Sequence, residues 1–168
     1  MLDCMAPQVH LMLGLPGSGK TTLSLKLSQE LVLPRFSLDE EYFSMVPNVQ
    51  QAERDFGIEA EGEARIKDQV AALLASGSSV VLDFCPWRIL QRQSYYSFIE
   101  SHGGMPQVHY LPVERDELLR RLEIRNSLRD ARYQYMSAQM LDDFYGRFDP
   151  PLKEEARYVV TRGTGLRS

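Results

Sequence analysis

The chain has 168 residues, 43% of them hydrophobic, and this length and composition predict one globular domain spanning residues 1–168. The formal net charge of −4 argues against nucleic-acid binding through bulk electrostatics, although a local basic groove is compatible with an acidic protein. No apolar run approaches the ~18 residues of a membrane span, and no basic region precedes an apolar stretch at the N-terminus, so we expect a cytoplasmic protein without a membrane partner.

The two cysteines, Cys4 and Cys85, are too few and too unpatterned for a disulfide framework or a zinc site. Free thiols in a reducing compartment are therefore the expected state of both.

Short apolar runs alternate with longer amphipathic segments, and this alternation predicts a parallel sheet wrapped by helices. The expected strands cover residues 9–13, 35–38, 79–84, 107–111 and 157–161. The expected helices cover residues 20–33, 88–101, 115–126 and 137–147, with one more that ends before Gly77. In that additional helix Ile66, Val70, Leu73 and Leu74 recur at helical spacing, which indicates a face turned towards the core.

A glycine-rich loop follows the first expected strand. Its residues at positions 14–21, GLPGSGKT, match the pattern G-x-x-x-x-G-K-[ST], whose backbone N–H groups surround nucleotide phosphates at a helix N-terminus. In this pattern Lys20 reaches the β- and γ-phosphates and the Thr21 hydroxyl binds Mg²⁺. The predicted nucleotide-binding residues of the loop are Gly14, Pro16, Gly17, Ser18, Gly19, Lys20, Thr21 and Thr22.

An acidic residue, Asp39, ends the second expected strand. Because ligands bind beyond the carboxyl ends of parallel strands, Asp39 is expected near the phosphates, where a carboxylate can accept the proton of an attacking hydroxyl. The alternative is that Asp39 is the N-cap of a helix over residues 40–45. Glu40 and Glu41 are expected to be first-turn charges of that helix rather than catalytic groups.

A second acid, Asp83, closes the third expected strand, and a parallel sheet places it beside the glycine-rich loop. There it can hold Mg²⁺ through water or bind the reactive end of an acceptor, whereas the alternative is a strand-end acid bonded to neighbouring backbone. Trp87 and Arg88 follow, and they either line an acceptor pocket or belong to a loop that covers the core.

Arginines at positions 120, 121, 125, 129 and 132 form the one basic concentration in the sequence. If the helix continues, four of them share a face, namely Arg121, Arg125, Arg129 and Arg132. Such a face can close over a triphosphate and stabilise charge on a transferring phosphoryl group, a catalytic role predicted for Arg125. The alternative is a solvated helix face paired with Glu117, Glu123 and Asp130.

Together these segments resemble the small P-loop kinases of the AAA_33 or zeta-toxin-like group, relatives of the polynucleotide 5′-hydroxyl kinases and of chloramphenicol phosphotransferase. The resemblance extends over about residues 9–151 and rests on the order of five motifs. They are the loop at 14–21, Asp39, VVLD at 80–83, RLEIRN at 121–126 and RFDPP at 147–151.

The resemblance implies a three-layer α/β P-loop NTPase fold with a five-stranded parallel sheet of order 2-3-1-4-5 and an arginine-bearing lid over about residues 125–137. It also implies that Lys20 and Thr21 bind ATP and Mg²⁺, and that Asp39 is the general base. Asp83 would contact the acceptor or the metal shell, and Arg121 and Arg125 would reach the nucleotide from the lid.

Departures from related kinases bear on the acceptor. Polynucleotide kinases carry an arginine three residues after the catalytic acid, where this chain has Tyr42, so a nucleic-acid acceptor is possible but not favoured. Residue 37 is serine, so the D-x-D of shikimate-type kinases is absent and a sugar-acid or shikimate acceptor is disfavoured. No N-K-x-D guanine-reading motif occurs, which favours ATP over GTP.

The predicted function is transfer of the γ-phosphate of ATP to a hydroxyl group of a small molecule or a nucleic-acid 5′ end, by a monomer or a homodimer. Two alternatives stay open, a nucleotide-dependent NTPase switch without a phosphoacceptor and a toxin-type kinase acting on a nucleotide-sugar. The acidic residues between positions 48 and 63 favour a neutral or cationic acceptor unless they form a solvated helix face.

Overall fold

The computed structural model describes residues 6–46, 55–128, 133–153, 155 and 158–160. The strands within these ranges are β1 (Gln8–Leu13), β2 (Arg35–Phe36), β3 (Val80–Leu82), β4 (Met105–Tyr110) and β5 (Tyr158–Val160). The helices are α1 (Lys20–Leu31), α2 (Leu38–Met45), α3 (Phe56–Ala75), α4 (Ile89–Ser101), α5 (Arg115–Ser127) and α6 (Ala138–Arg147).

The strands pair in parallel in one sheet of order β2-β3-β1-β4-β5. β1 is central, with Leu11 beside Leu82 of β3 on one side and Val108 of β4 on the other. The predicted α/β fold with a parallel sheet is confirmed, and so is the order 2-3-1-4 of the first four strands. β5 contributes a short edge segment, in which Val159 lies beside His109.

The main hydrophobic core lies between one face of the sheet and helices α3 and α4. Alternate residues of β1 are fully buried on this face, and they pack against Ile66 and Val70 of α3 and Ile99 of α4. This burial confirms the helical face expected before Gly77. Each buried aliphatic side chain of this kind contributes about 1.5–3 kcal/mol relative to an exposed one.

The opposite face of the sheet carries α1 and a pair of histidines. His10 on β1 and His109 on β4 lie side by side, with 3.0 Å between Nδ1 of His10 and Nε2 of His109. Burial lowers the pKa of both imidazoles, and burial together with the neighbouring His10 lowers the pKa of His109 to about 4. Both rings are therefore neutral in the folded protein near neutral pH.

We expect the free energy of unfolding to fall as the pH is lowered from about 6.5, the ordinary histidine pKa, towards 4. In that window an unfolded histidine binds a proton and folded His109 does not, so acid favours the unfolded chain by roughly 2–3 kcal/mol. Urea unfolding at several pH values measures the effect. His109→Gln should have a smaller pH slope than the wild type, and an unchanged slope would contradict the assignment.

The C-terminal end of α1 contains a strained residue. Val32 has φ 54° and ψ 49°, in the left-handed region, where its N–H donates to the Ser28 carbonyl. Glycine usually occupies this position after a helix, because a β-branched side chain is crowded there. The Val32 side chain is 87% exposed, so little packing offsets the strain.

We therefore expect Val32→Gly to raise the free energy of unfolding by about 1 kcal/mol, because glycine adopts positive φ without the Cβ clash. Val32→Ala keeps the Cβ atom and serves as the matched control. Chemical denaturation compares the three proteins, and a glycine variant no more stable than the alanine variant would argue against strain at this position.

Candidate functional site

The glycine-rich loop joins β1 to α1 at the carboxyl edge of the sheet. Gly17 and Gly19 have φ values of 85° and 99°, a backbone conformation that other residues rarely adopt. A Cβ atom at Gly14 would lie 2.5 Å from the Ser18 hydroxyl oxygen. The loop conformation therefore depends on glycine at these three positions.

The loop presents the N-terminus of α1 to the site without a side-chain cap. Gly19 occupies the N-cap position, and no acidic residue lies in the first turn. The first N–H groups and the positive end of the helix dipole are consequently available to an anion. Lys20 lies across the loop, where Nζ donates to the carbonyls of Gly14 at 2.9 Å and Leu15 at 3.1 Å.

Asp83 follows β3 directly and lies beside the loop, the place that the parallel sheet predicts. Its side chain is 3% exposed. Burial raises the pKa of this carboxyl group, whereas the Arg35 guanidinium, the Thr21 hydroxyl and the Lys20 ammonium lower it. Oδ1 is buried and has no hydrogen-bond partner within the part of the chain that the structure describes. A carboxylate oxygen of this kind next to a threonine hydroxyl suits Mg²⁺, which prefers oxygen ligands.

The other oxygen of Asp83 is held by Arg35, which belongs to none of the predicted motifs. Nη2 of Arg35 donates to Oδ2 at 2.5 Å, and the same side chain contacts Ser24 and Glu40. A sequence signal for this pairing exists. A basic residue in a short apolar strand is a natural partner for an acid at the end of the neighbouring buried strand, because a buried carboxylate needs a cation.

Asp39 lies in the first turn of α2 rather than at the end of a strand. β2 ends at Phe36, so the expectation that this strand reaches Leu38 is wrong. Ser37 is the N-cap of α2, and its hydroxyl oxygen accepts the Glu40 N–H at 3.4 Å. The alternative that Asp39 caps the helix is therefore also wrong. Glu40 is a first-turn charge, as expected.

The exposed Asp39 carboxylate lies close to two cations. Burial lowers the pKa of Lys20, while Asp83 and Asp39 raise it and Arg125 lowers it. Burial also lowers the pKa of Arg125, which Tyr133 and Asp39 raise. These mutual influences place the predicted residues Lys20, Asp39, Asp83 and Arg125 together at one edge of the sheet.

Arg121 and Arg125 reach the loop side of α5 in different ways. Arg121 donates through Nε to Glu117 at 2.6 Å and through Nη1 to the Gly17 carbonyl at 3.4 Å. The Arg125 guanidinium lies 5.2 Å from the centre of the Tyr133 ring. Nε of Arg125 is buried, with no hydrogen-bond partner among residues that the structure describes. Nη2 of the same side chain donates to the Gln134 carbonyl at 3.5 Å. An anion is a suitable partner for the buried Nε.

Arg120, by contrast, pairs with Glu117 at 2.7 Å on the solvent side. The alternative of a solvated, salt-bridged face therefore applies to Arg120 and in part to Arg121.

The helix does not continue through the whole arginine segment. α5 ends at Ser127 with Leu128 as its C-cap, and residues 133–137 are not helical. The condition that the helix continues is therefore not met at Leu128, and Arg129, Asp130 and Arg132 lie outside the described residues. The physical reason is visible at Asn126, whose side chain donates to the Met136 carbonyl at 2.8 Å and accepts the Met136 N–H at 3.2 Å.

Trp87 and Arg88 make the contacts of a loop that covers the core. The Trp87 ring lies 4.8 Å from Phe144 and 5.3 Å from the Arg147 guanidinium, and Arg88 donates to the Arg147 carbonyl at 3.1 Å. Asp149 of the RFDPP motif accepts the Ile89 N–H at 3.0 Å. This motif therefore holds the loop after β3 against the end of α6.

A fully buried arginine, Arg92, reinforces the same junction. It pairs with Glu155 through Nε at 2.9 Å and Nη2 at 2.6 Å, and Nη1 donates to the carbonyls of Trp87 and Asp149. Arg92 and Glu155 belong to no predicted motif, since the spacing of 63 residues gives no local signal.

The acids at the start of α3 form a solvated helix face. Glu61 pairs with Arg65 at 2.6 Å and Glu63 with Lys67 at 2.8 Å, both one helical turn apart. Asp55 accepts the N–H groups of residues 57 and 58 as the N-cap. These local contacts account for Asp55, Glu61 and Glu63, so these three acids no longer favour a cationic acceptor, and Glu53 lies outside the described residues.

Three further expectations concern cysteines, membranes and metals. Cys85 is a free thiol whose pKa is raised by burial, and Cys4 lies outside the described residues. Where the chain is described, no helix combines the length and apolar character needed to cross a bilayer. The same residues contain no group of three or more His, Cys, Asp or Glu side chains able to hold a metal ion by themselves.

Comparisons with known proteins agree with this geometry. The AAA_33 family model, described as an AAA domain, matches residues 9–151. An adenylate kinase from Mycolicibacterium paratuberculosis (strain ATCC BAA-968 / K-10) is 30% identical, over 71% of this chain and 71% of that protein.

Solved structures share the fold. A candidate kinase from Chloroflexus aurantiacus J-10-fl superposes with a TM-score of 0.75 at 23% identity, covering 96% of this chain and 90% of that one. A gluconokinase from Sinorhizobium meliloti 1021 has a TM-score of 0.64 at 16% identity, covering 95% and 83%. A chain of the Pnkp1/Rnl/Hen1 RNA repair complex has a TM-score of 0.71 at 15% identity, covering 84% and 43%.

At these low identities the solved structures support the fold alone. The family match spans most of the sequence and includes the glycine-rich loop. The chain belongs to the AAA_33 family of kinase-like, nucleotide-binding P-loop proteins.

Proposed function

We propose that this chain is a single P-loop kinase domain that transfers the γ-phosphoryl group of ATP to a hydroxyl group of an acceptor. The position of Asp39 carries the proposal, because its carboxylate lies close to both Lys20 and Arg125. Those cations belong to the two elements that flank the phosphates, the loop and α5. A carboxylate near both cations can receive a proton from a hydroxyl that approaches the γ-phosphate.

In the proposed reaction the acceptor oxygen attacks the γ-phosphorus, the bond from that phosphorus to the β–γ bridging oxygen breaks, and ADP leaves. Asp39 accepts the proton of the hydroxyl group. Lys20 exchanges its two loop carbonyls for oxygens of the β- and γ-phosphates, and the Arg125 guanidinium offsets charge on the transferring group. The backbone N–H groups of the loop and of α1 hold the remaining phosphate oxygens.

Thr21 and Asp83 would hold Mg²⁺ at this edge of the sheet. When bound, the ion offsets phosphate charge and orients the triphosphate. The unpartnered Oδ1 of Asp83 and the neighbouring Thr21 hydroxyl support this assignment.

Tyr42 bears on the class of acceptor. Three residues after Asp39, it is 4% exposed, and its hydroxyl oxygen accepts the Asp55 N–H at 2.9 Å. The side chain packs α2 against the start of α3 and offers no positive charge to a phosphate. We therefore propose a hydroxyl-bearing small molecule as acceptor ahead of the 5′-hydroxyl end of a nucleic acid.

Asp39→Asn should lower the rate of phosphoryl transfer by about 10²- to 10⁴-fold, because an amide cannot accept the proton. Nucleotide binding should persist, since Lys20 and the loop are unchanged. Transfer from γ-labelled ATP with Mg²⁺ into a panel of nucleosides, aminoglycosides, 5′-hydroxyl oligonucleotides and a metabolite extract measures the effect. Glu41→Gln removes a carboxylate from the same turn and is the matched control.

Label on one acceptor, lost in Asp39→Asn and kept in Glu41→Gln, identifies the acceptor class and supports the base. Free phosphate as the sole product, released equally fast by wild type and Asp39→Asn, would instead favour the NTPase switch.

Arg125→Ala should lower transfer by about 10³-fold, as expected for an arginine that offsets transition-state charge. The nucleotide-free variant should unfold at or above the wild-type midpoint, because it no longer buries an Nε–H group that has no partner among the described residues. Thermal unfolding with and without Mg²⁺–ATP, alongside the transfer assay, tests both parts.

Arg120→Ala is the control for Arg125→Ala, since Arg120 lies on the same helix and pairs with Glu117 in solvent. If both arginine variants lose transfer equally, the assignment of the phosphoryl contact to Arg125 is wrong.

A further inference from the structure

Arg35 has an unusually complete set of partners for a residue on an edge strand. Its side chain is 9% exposed. Nε donates to the Ser24 hydroxyl oxygen at 2.8 Å, Nη2 to Oδ2 of Asp83 at 2.5 Å, and Nη1 to both carboxylate oxygens of Glu40 at 3.0 Å. All three nitrogens of the guanidinium are engaged, each with a different element.

Two of these contacts close a ring around the proposed metal ligands. Ser24, one turn after the loop on α1, donates its hydroxyl to the Thr21 carbonyl at 3.0 Å and accepts Nε of Arg35. Arg35 holds Asp83, and the Thr21 hydroxyl lies beside the Asp83 carboxyl group. These contacts form a closed ring that runs from Thr21 through Ser24, Arg35 and Asp83 and back to Thr21. Arg35 occupies Oδ2 of Asp83, whereas Oδ1 has no hydrogen-bond partner among the described residues.

The third contact reaches the helix that carries the proposed base. Glu40 follows Asp39 in the first turn of α2, and one residue, Ser37, separates that helix from β2. The Arg35–Glu40 pair ties this turn to the same guanidinium that holds Asp83. The position of α2 relative to the loop is therefore coupled to the orientation of Asp83.

Charge compensation of a buried acid does not by itself require this geometry. A lysine would supply the same charge from one nitrogen, whereas the planar fork of arginine contacts several acceptors in fixed directions. The three-way contact points to orientation in addition to neutralisation.

On the basis of the proposed function, we propose that Arg35 is a positioning residue that orients Asp83 for Mg²⁺–nucleotide and sets the distance of the Asp39 turn from the transferring phosphoryl group. Arg35 touches neither the nucleotide nor the acceptor and acts through Asp83 and Glu40. Partners of this kind commonly change metal affinity or activity by about 10- to 100-fold when removed.

Arg35→Lys tests the proposal, because it keeps the charge and loses the three-way contact. Calorimetric titration of ATP with Mg²⁺ and with EDTA gives the gain in ATP affinity caused by Mg²⁺. In Arg35→Lys we expect that gain to fall about 10- to 100-fold, with ATP affinity in EDTA essentially unchanged. Ser24→Ala, which removes the Nε anchor together with the hydrogen bond from Ser24 to the Thr21 carbonyl, should show a smaller fall in the same gain and covers the case of a poorly folded lysine variant.

Arg115→Lys is the matched control. Arg115 also binds a carboxylate with two nitrogens, at 2.6 and 2.9 Å from Asp142, and it contacts no member of the ring. Its substitution should leave the Mg²⁺-dependent gain unchanged. Glu40→Gln should lower kcat for transfer while preserving that gain, since it releases only the α2 contact.

Equal losses of ATP affinity with and without Mg²⁺, together with a lower unfolding midpoint of the nucleotide-free protein, would show that Arg35 only supports the fold. An unchanged gain in Arg35→Lys and Ser24→Ala, or no gain in the wild type, would overturn the proposal. If the wild type binds Mg²⁺–ATP and labels no acceptor, the proposed kinase activity fails, and the titrations still decide the role of Arg35.

Discussion

The structure at the carboxyl edge of the sheet depends on pairing one buried carboxylate with one guanidinium. Asp83 is 3% exposed at the end of a central strand, and Arg35 from the neighbouring strand lies against it. Such a pair seldom adds much stability, because desolvation of both ions offsets their attraction. Its effect here is geometric, since β2, β3 and α1 must meet in one arrangement for every hydrogen bond to form.

The parallel sheet explains how residues so far apart in sequence share one site. β1 leads to Lys20, β2 to Asp39, β3 to Asp83, and the helix after β4 to Arg125. Each of these four strands therefore leads to one charged group, with the acids after β2 and β3 and the cations after β1 and β4. In the proposed reaction these cations and the dipole of α1 act together on the triphosphate.

Sequence alone could predict the loop and Asp83, because glycine spacing and an acid after an apolar run have local physical causes. The turn at Asp39 was predictable only in part. The stretch from Ser37 to Glu40 has the S-x-x-E spacing of a capping box, which marks a helix start at residue 38. The contact between Arg35 and Asp83 depends on strand register. Arg35 pairs with Val81, so its side chain lies on the same face of the sheet as that of Asp83. The end of α5 depends on a contact between Asn126 and Met136, which no periodicity encodes.

The uncapped N-terminus of α1 has a consequence for the whole fold. Because no described side chain caps it, a bound phosphate supplies the acceptor that a serine or aspartate supplies elsewhere. Nucleotide binding and formation of the first turn of α1 are then thermodynamically linked. By mass action the free energy of unfolding rises with the logarithm of free nucleotide once the site is filled, and each tenfold increase adds about 1.4 kcal/mol. The folded fraction of the protein therefore depends on the nucleotide supply of its surroundings.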